Sequence, residues 1–206
     1  MPHIPDVANA TIHFKRCMVS LGLDPDKDSA LLETPERVVS FLAEATANYR
    51  SRPVVTKSPH YDRAAELKLT TFPAENLNQL IFQGGMSFTS ICVHHFLPFY
   101  GTAYIGYIPS DKILGLSKFP RIIDFFARAP NTQEYLTQAV RDYIVELLRP
   151  HFAIVLLKGH HSCVSCRGPL KPTAQTITTS QYSLLHTDRH DTTKQEFLTY
   201  VQGMGM

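Results

Sequence analysis

The sequence predicts an α+β fold, an antiparallel sheet preceded by an N-terminal helical segment, and three observations predict it. The first fifty residues carry helical patterning. Two runs rich in β-branched and aromatic residues come next, Leu80 to Ile91 and Tyr100 to Pro109. Two further helical stretches then separate that strand pair from another. Helices, strands, helices and strands in blocks are the grouping of segregated elements, not of alternating βαβ units.

Each element has a local cause. Thr34-Pro35-Glu36-Arg37 reads as a helix start, with Thr34 as N-cap, Pro35 at the first helical position and Glu36 favoured by the dipole. Val38, Val39, Phe41, Leu42 and Ala45 give that helix an apolar face. Residues 51–76 scatter proline, serine and charge, a connector between a helical segment over 1–50 and a domain over 77–206. Gly84-Gly85 marks a bulge within the first strand. Ser117 precedes a helix over Lys118 to Arg128, with Pro120 tolerated in the first turn. Thr132 to Arg149 is the clearest helix, because Leu136, Ala139, Val140, Tyr143, Ile144, Leu147 and Leu148 form one stripe. Ala153 to Lys158 and Thr173 to Ser180 read as strands, and Thr193 to Val201 as a last helix.

Composition excludes several classes of function. With 44% hydrophobic and 18% charged residues, the 206-residue chain is globular in kind. A formal charge of +2 is too small to argue for nucleic acid or a membrane surface as partner. The longest apolar run, Phe152 to Leu157, is a buried strand and far short of a bilayer span. His3, Asp6, His13 and Lys15 interrupt the N-terminus, so it lacks a secretory apolar region, and the expected location is cytoplasmic. In that compartment Cys17, Cys92, Cys163 and Cys166 are expected as thiols.

Metal-binding capacity concentrates in two segments, Cys92-Val93-His94-His95 and His160-His161-Ser162-Cys163-Val164-Ser165-Cys166-Arg167-Gly168. Thiolate with imidazole favours zinc. Spacing leaves two arrangements open. Cys163-x-x-Cys166 with Cys92 and a histidine would close a structural site, whereas three protein ligands and a water would make a catalytic one. In an extended strand His94, not His95, shares the side of Cys92, while His161 and Cys163 share a face without a turn.

The run Cys92-Val93-His94-His95-Phe96 resembles the C-E-H-H signature of GTP cyclohydrolase I. Gly115-Leu116-Ser117-Lys118 with Arg121, Gln133-Glu134, His161-x-Cys163 and Arg167-Gly168 come after it in the family's order, and Thr34-Pro35-x-Arg37 precedes them. The resemblance extends from about residue 30 to residue 200. It implies a tunnelling fold, an antiparallel sheet with two helices on one face. It implies a catalytic Zn2+ held by Cys92, His95 and Cys163, with Cys166 outside the ligand set. It also implies hydrolysis of GTP at guanine C8, release of formate and formation of 7,8-dihydroneopterin triphosphate, feeding pterin, folate or 7-deazaguanine synthesis. His161 is then the acid at N7 and His94 a second proton-transfer group. Glu134 anchors guanine with Gln133 assisting, Ser117 contacts ribose, and Lys118, Arg121, Arg167 and Arg37 grip the triphosphate. The family assembles as a homodecamer with active sites between subunits. Two residues depart from its pattern: Val93 replaces the signature glutamate, and Ser40 stands where a triphosphate-binding lysine is expected.

Overall fold

The structure of the chain, a computed structural model, describes residues 5–49, 67 and 69–205. Most of the predicted connector over 51–76 lies outside the described residues. Its last part forms β1 (Thr71–Pro73), which pairs antiparallel with β4 (Lys112–Leu114) in a small two-stranded sheet.

Two helices, α1 (Val7–Ser20) and α2 (Thr34–Ala45), pack on each other at the N-terminus. Asp6 caps α1, its carboxylate accepting from Asn9 N at 2.9 Å. Helix α2 begins where expected, but the cap is displaced by one residue. Glu33 holds the N-cap position without a side-chain cap bond, and Thr34 is already helical. Pro35 explains why the start is still correct, since the first turn has no use for its missing N–H.

The main sheet has the order β5-β2-β3-β6-β7. Strands β2 (Ile81–Cys92), β3 (Pro98–Ile108), β6 (Phe152–His161) and β7 (Thr176–Ser183) are antiparallel neighbours. The two-residue β5 (Pro130–Asn131) lies parallel to the end of β2, which the patterning did not reveal. The ladder shifts register between Gln83 and Met86. Gly85 supplies the positive φ of 72° that this bulge needs.

Alternation assigns the two faces. Phe88, Phe99, Ala103, Ile105, Tyr107, Ala153, Val155 and Leu157 lie under α3 (Lys118–Ala127) and α4 (Gln133–Leu148), so two helices cover one face as expected. Phe119, Ile122 and Ile123 of α3 and Leu136, Val140 and Ile144 of α4 have no exposed surface. Each contributes roughly 1.5–3 kcal/mol by leaving water. The opposite face, with Tyr104, Phe152, Ile154 and Leu156, is covered at one end by Phe197 and Val201 of α6 (Thr187–Gly203). That helix starts well before Thr193 because Asp188 suits its first turn, while its early residues bear no apolar stripe to betray them. Where β3 begins, the same face is open, with Tyr100 53% and Ile177 51% exposed.

Chain direction decides which ends of these elements meet. Strand β3 runs away from the Cys92 turn towards β4, and α3 runs back along the sheet to β5, beside Cys92.

Candidate metal centre and active site

Strand β2 ends at Cys92, and the chain leaves the extended conformation there. Cys92 N donates to Leu97 O at 2.8 Å, while Cys92 O accepts from Phe96 N at 2.9 Å and His95 N at 3.4 Å. Phe96 closes the turn in the left-handed region at φ 52°, a conformation costing a bulky residue of order 1–3 kcal/mol. The turn carries His95 back over Cys92. Strict alternation would have selected His94, and this turn is why it does not. His94 is exposed, its ring edge-on to His95 at 6.2 Å between centroids.

Buried polar groups brace the turn. Asn131, 1% exposed, donates from Nδ2 to Ser90 Oγ, Phe126 O and Ala129 O, and its backbone carbonyl accepts from Val93 N at 3.0 Å. On the other side β6 ends at His161, and a single helical turn, α5 (Ser162–Ser165), delivers Cys163. The expected extended pairing of His161 with Cys163 is thus replaced by a strand end and a helical turn.

Cys92, His95 and Cys163 place their ligand atoms within 4.8 Å of one another, the one such group among the described residues. Cys92 Sγ lies 3.9 Å from Cys163 Sγ and 3.6 Å from His95 Nδ1. A tetrahedral zinc with ordinary bond lengths needs about 3.8 Å between thiolates and about 3.6 Å between thiolate and imidazole. Both distances from Cys92 therefore match those a zinc ion requires. Burial, then the neighbouring Cys92 thiol, push the Cys163 thiol up, with the Arg167 guanidinium opposing. A metal relieves that cost by replacing the protons. Cys166 is exposed and directs Sγ to Ser162 O at 2.8 Å, away from the cluster. Of the three, His95 is exposed, so the cluster lies at the surface on that side.

His161 stands beside this centre. Its ring stacks on Phe99 with centroids 4.6 Å apart and planes 4° apart. Its Nε2 lies 2.9 Å from Gln133 Oε1. Burial pushes the His161 pKa down, and the Glu134 carboxylate opposes that shift, which places Glu134 within electrostatic reach of the ring. Glu134 itself is exposed in the first turn of α4, whose N-cap Thr132 accepts from Tyr135 N at 3.1 Å. Gln133 is 1% exposed and turned inward.

The remaining predicted residues are not brought here. Ser117 and Lys118 open α3, and Arg121 lies one turn on. Phe119 packs on Tyr107 at 5.9 Å, whereas His161 packs on Phe99 at the other end of the same strand. Tyr107 lies eight residues beyond Phe99, about 25 Å along the strand, so the start of α3 stands far from His161 within one chain. Ser117 occupies the N-cap position of α3 without a side-chain cap bond. Arg37 is exposed on α2, ion-paired with Glu33, and Ser40 is exposed on the same helix. Arg167, by contrast, lies at the metal end. Sequence reasoning missed Phe99 and Asn131. Phe99 looks like any strand phenylalanine, and Asn131 after Pro130 reads as a turn residue.

No helix among the described residues is long and apolar enough to cross a membrane. The family model for GTP cyclohydrolase I matches residues 10–202. The chain is 38% identical to GTP cyclohydrolase 1 of Thermobifida fusca over 81% of this chain and 75% of that one. It is 37% identical to that of Deinococcus radiodurans, over 90% and 80%, and 32% identical to that of Geobacillus sp. WCH70, over 98% and 100%. A solved chain of the archaeosine synthase QueF-like protein gives a TM-score of 0.43 at 13% identity, covering 52% of this chain and 96% of that one. With the family model spanning nearly all of it and the signature segments converging on one Cys-His-Cys cluster, this chain belongs to the GTP cyclohydrolase I family.

Proposed function

We propose that the chain hydrolyses GTP at guanine C8 in a zinc-dependent reaction that releases formate and yields 7,8-dihydroneopterin triphosphate. The observation that carries this reading is the Cys92, His95 and Cys163 cluster, spaced for zinc and at the surface on one side, with a histidine beside it. Bound zinc supplies Lewis acidity that makes water a nucleophile near neutral pH. His161 takes the proton lost by the water that attacks C8 and delivers it to N7, and exposed His94 serves the second proton transfer. Glu134 accepts from the purine N1–H and 2-amino group, a pairing that selects guanine over adenine. Arg167 meets the phosphates from the metal end.

Ser117, Lys118 and Arg121 reach the same substrate from a second copy of the chain, gripping ribose and triphosphate. Their separation from His161 supports a shared site, as do edge strands β2 and β7, each without a partner among the described residues along most of one side. Arg37 joins the phosphate contacts, and with Ser40 on its helix the grip there is one cation weaker than the family pattern. The assembly is a closed homo-oligomer, a decamer by resemblance, and its expected location is the cytoplasm.

The test is incubation of zinc-loaded protein with GTP and with dGTP, following formate and the pterin chromophore, with and without chelator. Formate and chromophore from GTP, abolished by the chelator, are expected. A zinc-replete oligomer that yields neither product from either nucleotide would sink the reading.

A further inference from the structure

The contact between Gln133 and His161 has a polarity that its surroundings settle. Gln133 Nε2 lies 3.1 Å from Leu157 O and 2.9 Å from Thr176 O, both backbone carbonyls that can only accept. The amide nitrogen must therefore face them, which turns Oε1 to His161 Nε2 at 2.9 Å. An amide oxygen also only accepts, so Nε2 carries the hydrogen and Nδ1 of the neutral ring carries the lone pair.

The arrangement is held from every side. Thr178 Oγ1 lies 3.1 Å from Gln133 Nε2 and 2.6 Å from Thr137 Oγ1, and Thr137 Oγ1 donates to Gln133 O at 2.7 Å. Gly159 opposite has no Cβ; one placed there would overlap Gln133 Oε1, with Cδ at 3.2 Å. Phe99 stacks flat on the imidazole and stops it turning. The amide is 1% exposed, so its side chain has no surface to offer a purine without breaking these bonds.

We propose that Gln133 is a positioning residue that fixes His161 in its Nε2–H tautomer, so that Nδ1 is the atom that exchanges protons with the substrate. The inference rests on the reading of His161 as the proton-transfer group. Nδ1 takes a proton as the attacking water loses one and passes it to N7 as the C8–N7 bond opens. Nε2 keeps its hydrogen throughout, and Gln133 Oε1 accepts it from the neutral ring and the imidazolium alike. The other tautomer would present an N–H where the cycle needs a lone pair.

Solid-state NMR of zinc-loaded protein labelled with 15N-histidine reads the tautomer directly, the His161 signal being identified by its loss in His161→Ala. At neutral pH the wild type is expected to show a protonated Nε2 and a bare Nδ1. Gln133→Met keeps the length of the side chain and removes its polar atoms. It is expected to mix the tautomers and lower kcat by about 10–100-fold with KM for GTP within about threefold and zinc content unchanged, the size usual for partners that orient a ligand's neighbour. A protonated Nδ1 in the wild type overturns the proposal. So does a Gln133→Met protein whose KM rises tenfold or more at unchanged kcat, because that is the mark of a guanine contact. If Gln133→Met does not fold, the wild-type tautomer alone decides. Full activity of His161→Ala would instead overturn the reading of His161, whatever its tautomer.

Discussion

Gly159→Ala introduces one methyl group at the point where β6 faces the amide of Gln133. Its Cβ would overlap Gln133 Oε1, and Cδ would stand at 3.2 Å, tighter than nine in ten contacts of this kind. The amide cannot retreat from β6 without loosening Nε2 from Leu157 O and Thr176 O, which lie on the same strand pair as Gly159. Either Oε1 leaves His161 or β6 shifts against β3. Losing the Gln133–His161 bond costs about 1 kcal/mol, and leaving its buried partner unpaired a further 1–3 kcal/mol. Against this, alanine regains about 0.5–1 kcal/mol of backbone entropy relative to glycine. The net loss is about 1–3 kcal/mol, which lowers Tm by roughly 2–12 °C in a chain of this size. Differential scanning fluorimetry of the zinc-loaded protein measures it, with Gly203→Ala as control, because nothing lies within 4 Å of a Cβ there. If Gly159→Ala melts with or above the wild type while Gly203→Ala behaves as expected, the packing of Gln133 against β6 is wrong.

Three other experiments have definite expected outcomes. Cys166→Ser is expected to retain both zinc and activity, while Cys163→Ser loses them, as measured by metal analysis of the purified proteins; the reverse pattern would restore the Cys-x-x-Cys site. Leu114 N donates to the buried Tyr107 hydroxyl at 2.9 Å, so Tyr107→Phe strands a buried donor and costs about 1–3 kcal/mol, read as a lowered Tm. His161→Ala and Lys118→Ala, each inactive alone, are expected to recover about a quarter of wild-type activity after unfolding and refolding together in equal amounts, because random assembly leaves that share of two-chain sites intact. No recovery in demonstrably mixed oligomers would place the whole site in one chain.

Much of the fold was legible because patterning and burial agree. The α4 stripe through Leu136, Val140 and Ile144 marks a helix with one buried face, and Gly84-Gly85 marks the bulge. What was not legible depends on geometry that no local pattern encodes. Cys92 and His95 converge only because Phe96 accepts a left-handed backbone and Asn131 holds the neighbouring strand end. The two-residue β5 is too short to show a period, and α6 lacks an apolar stripe before Phe197. For Gln133 the resemblance suggested a hand on guanine, whereas its amide is spent on Leu157, Thr176, Thr178 and His161, a commitment visible only when β6, β7 and α4 are in place. The placement of Ser117 and Lys118 far from His161 likewise comes from α3 running back along the sheet, which linear spacing does not convey.

The most direct test of zinc-dependent ring opening is reconstitution. Metal-free protein, prepared with a chelator and shown to keep its oligomeric state, is titrated with zinc while formate release from GTP is followed. Formate release should rise in proportion to bound zinc and level off at about one zinc per chain, the capacity of a single Cys-His-Cys centre. Full formate release from metal-free protein, or none at full zinc occupancy, would contradict the account.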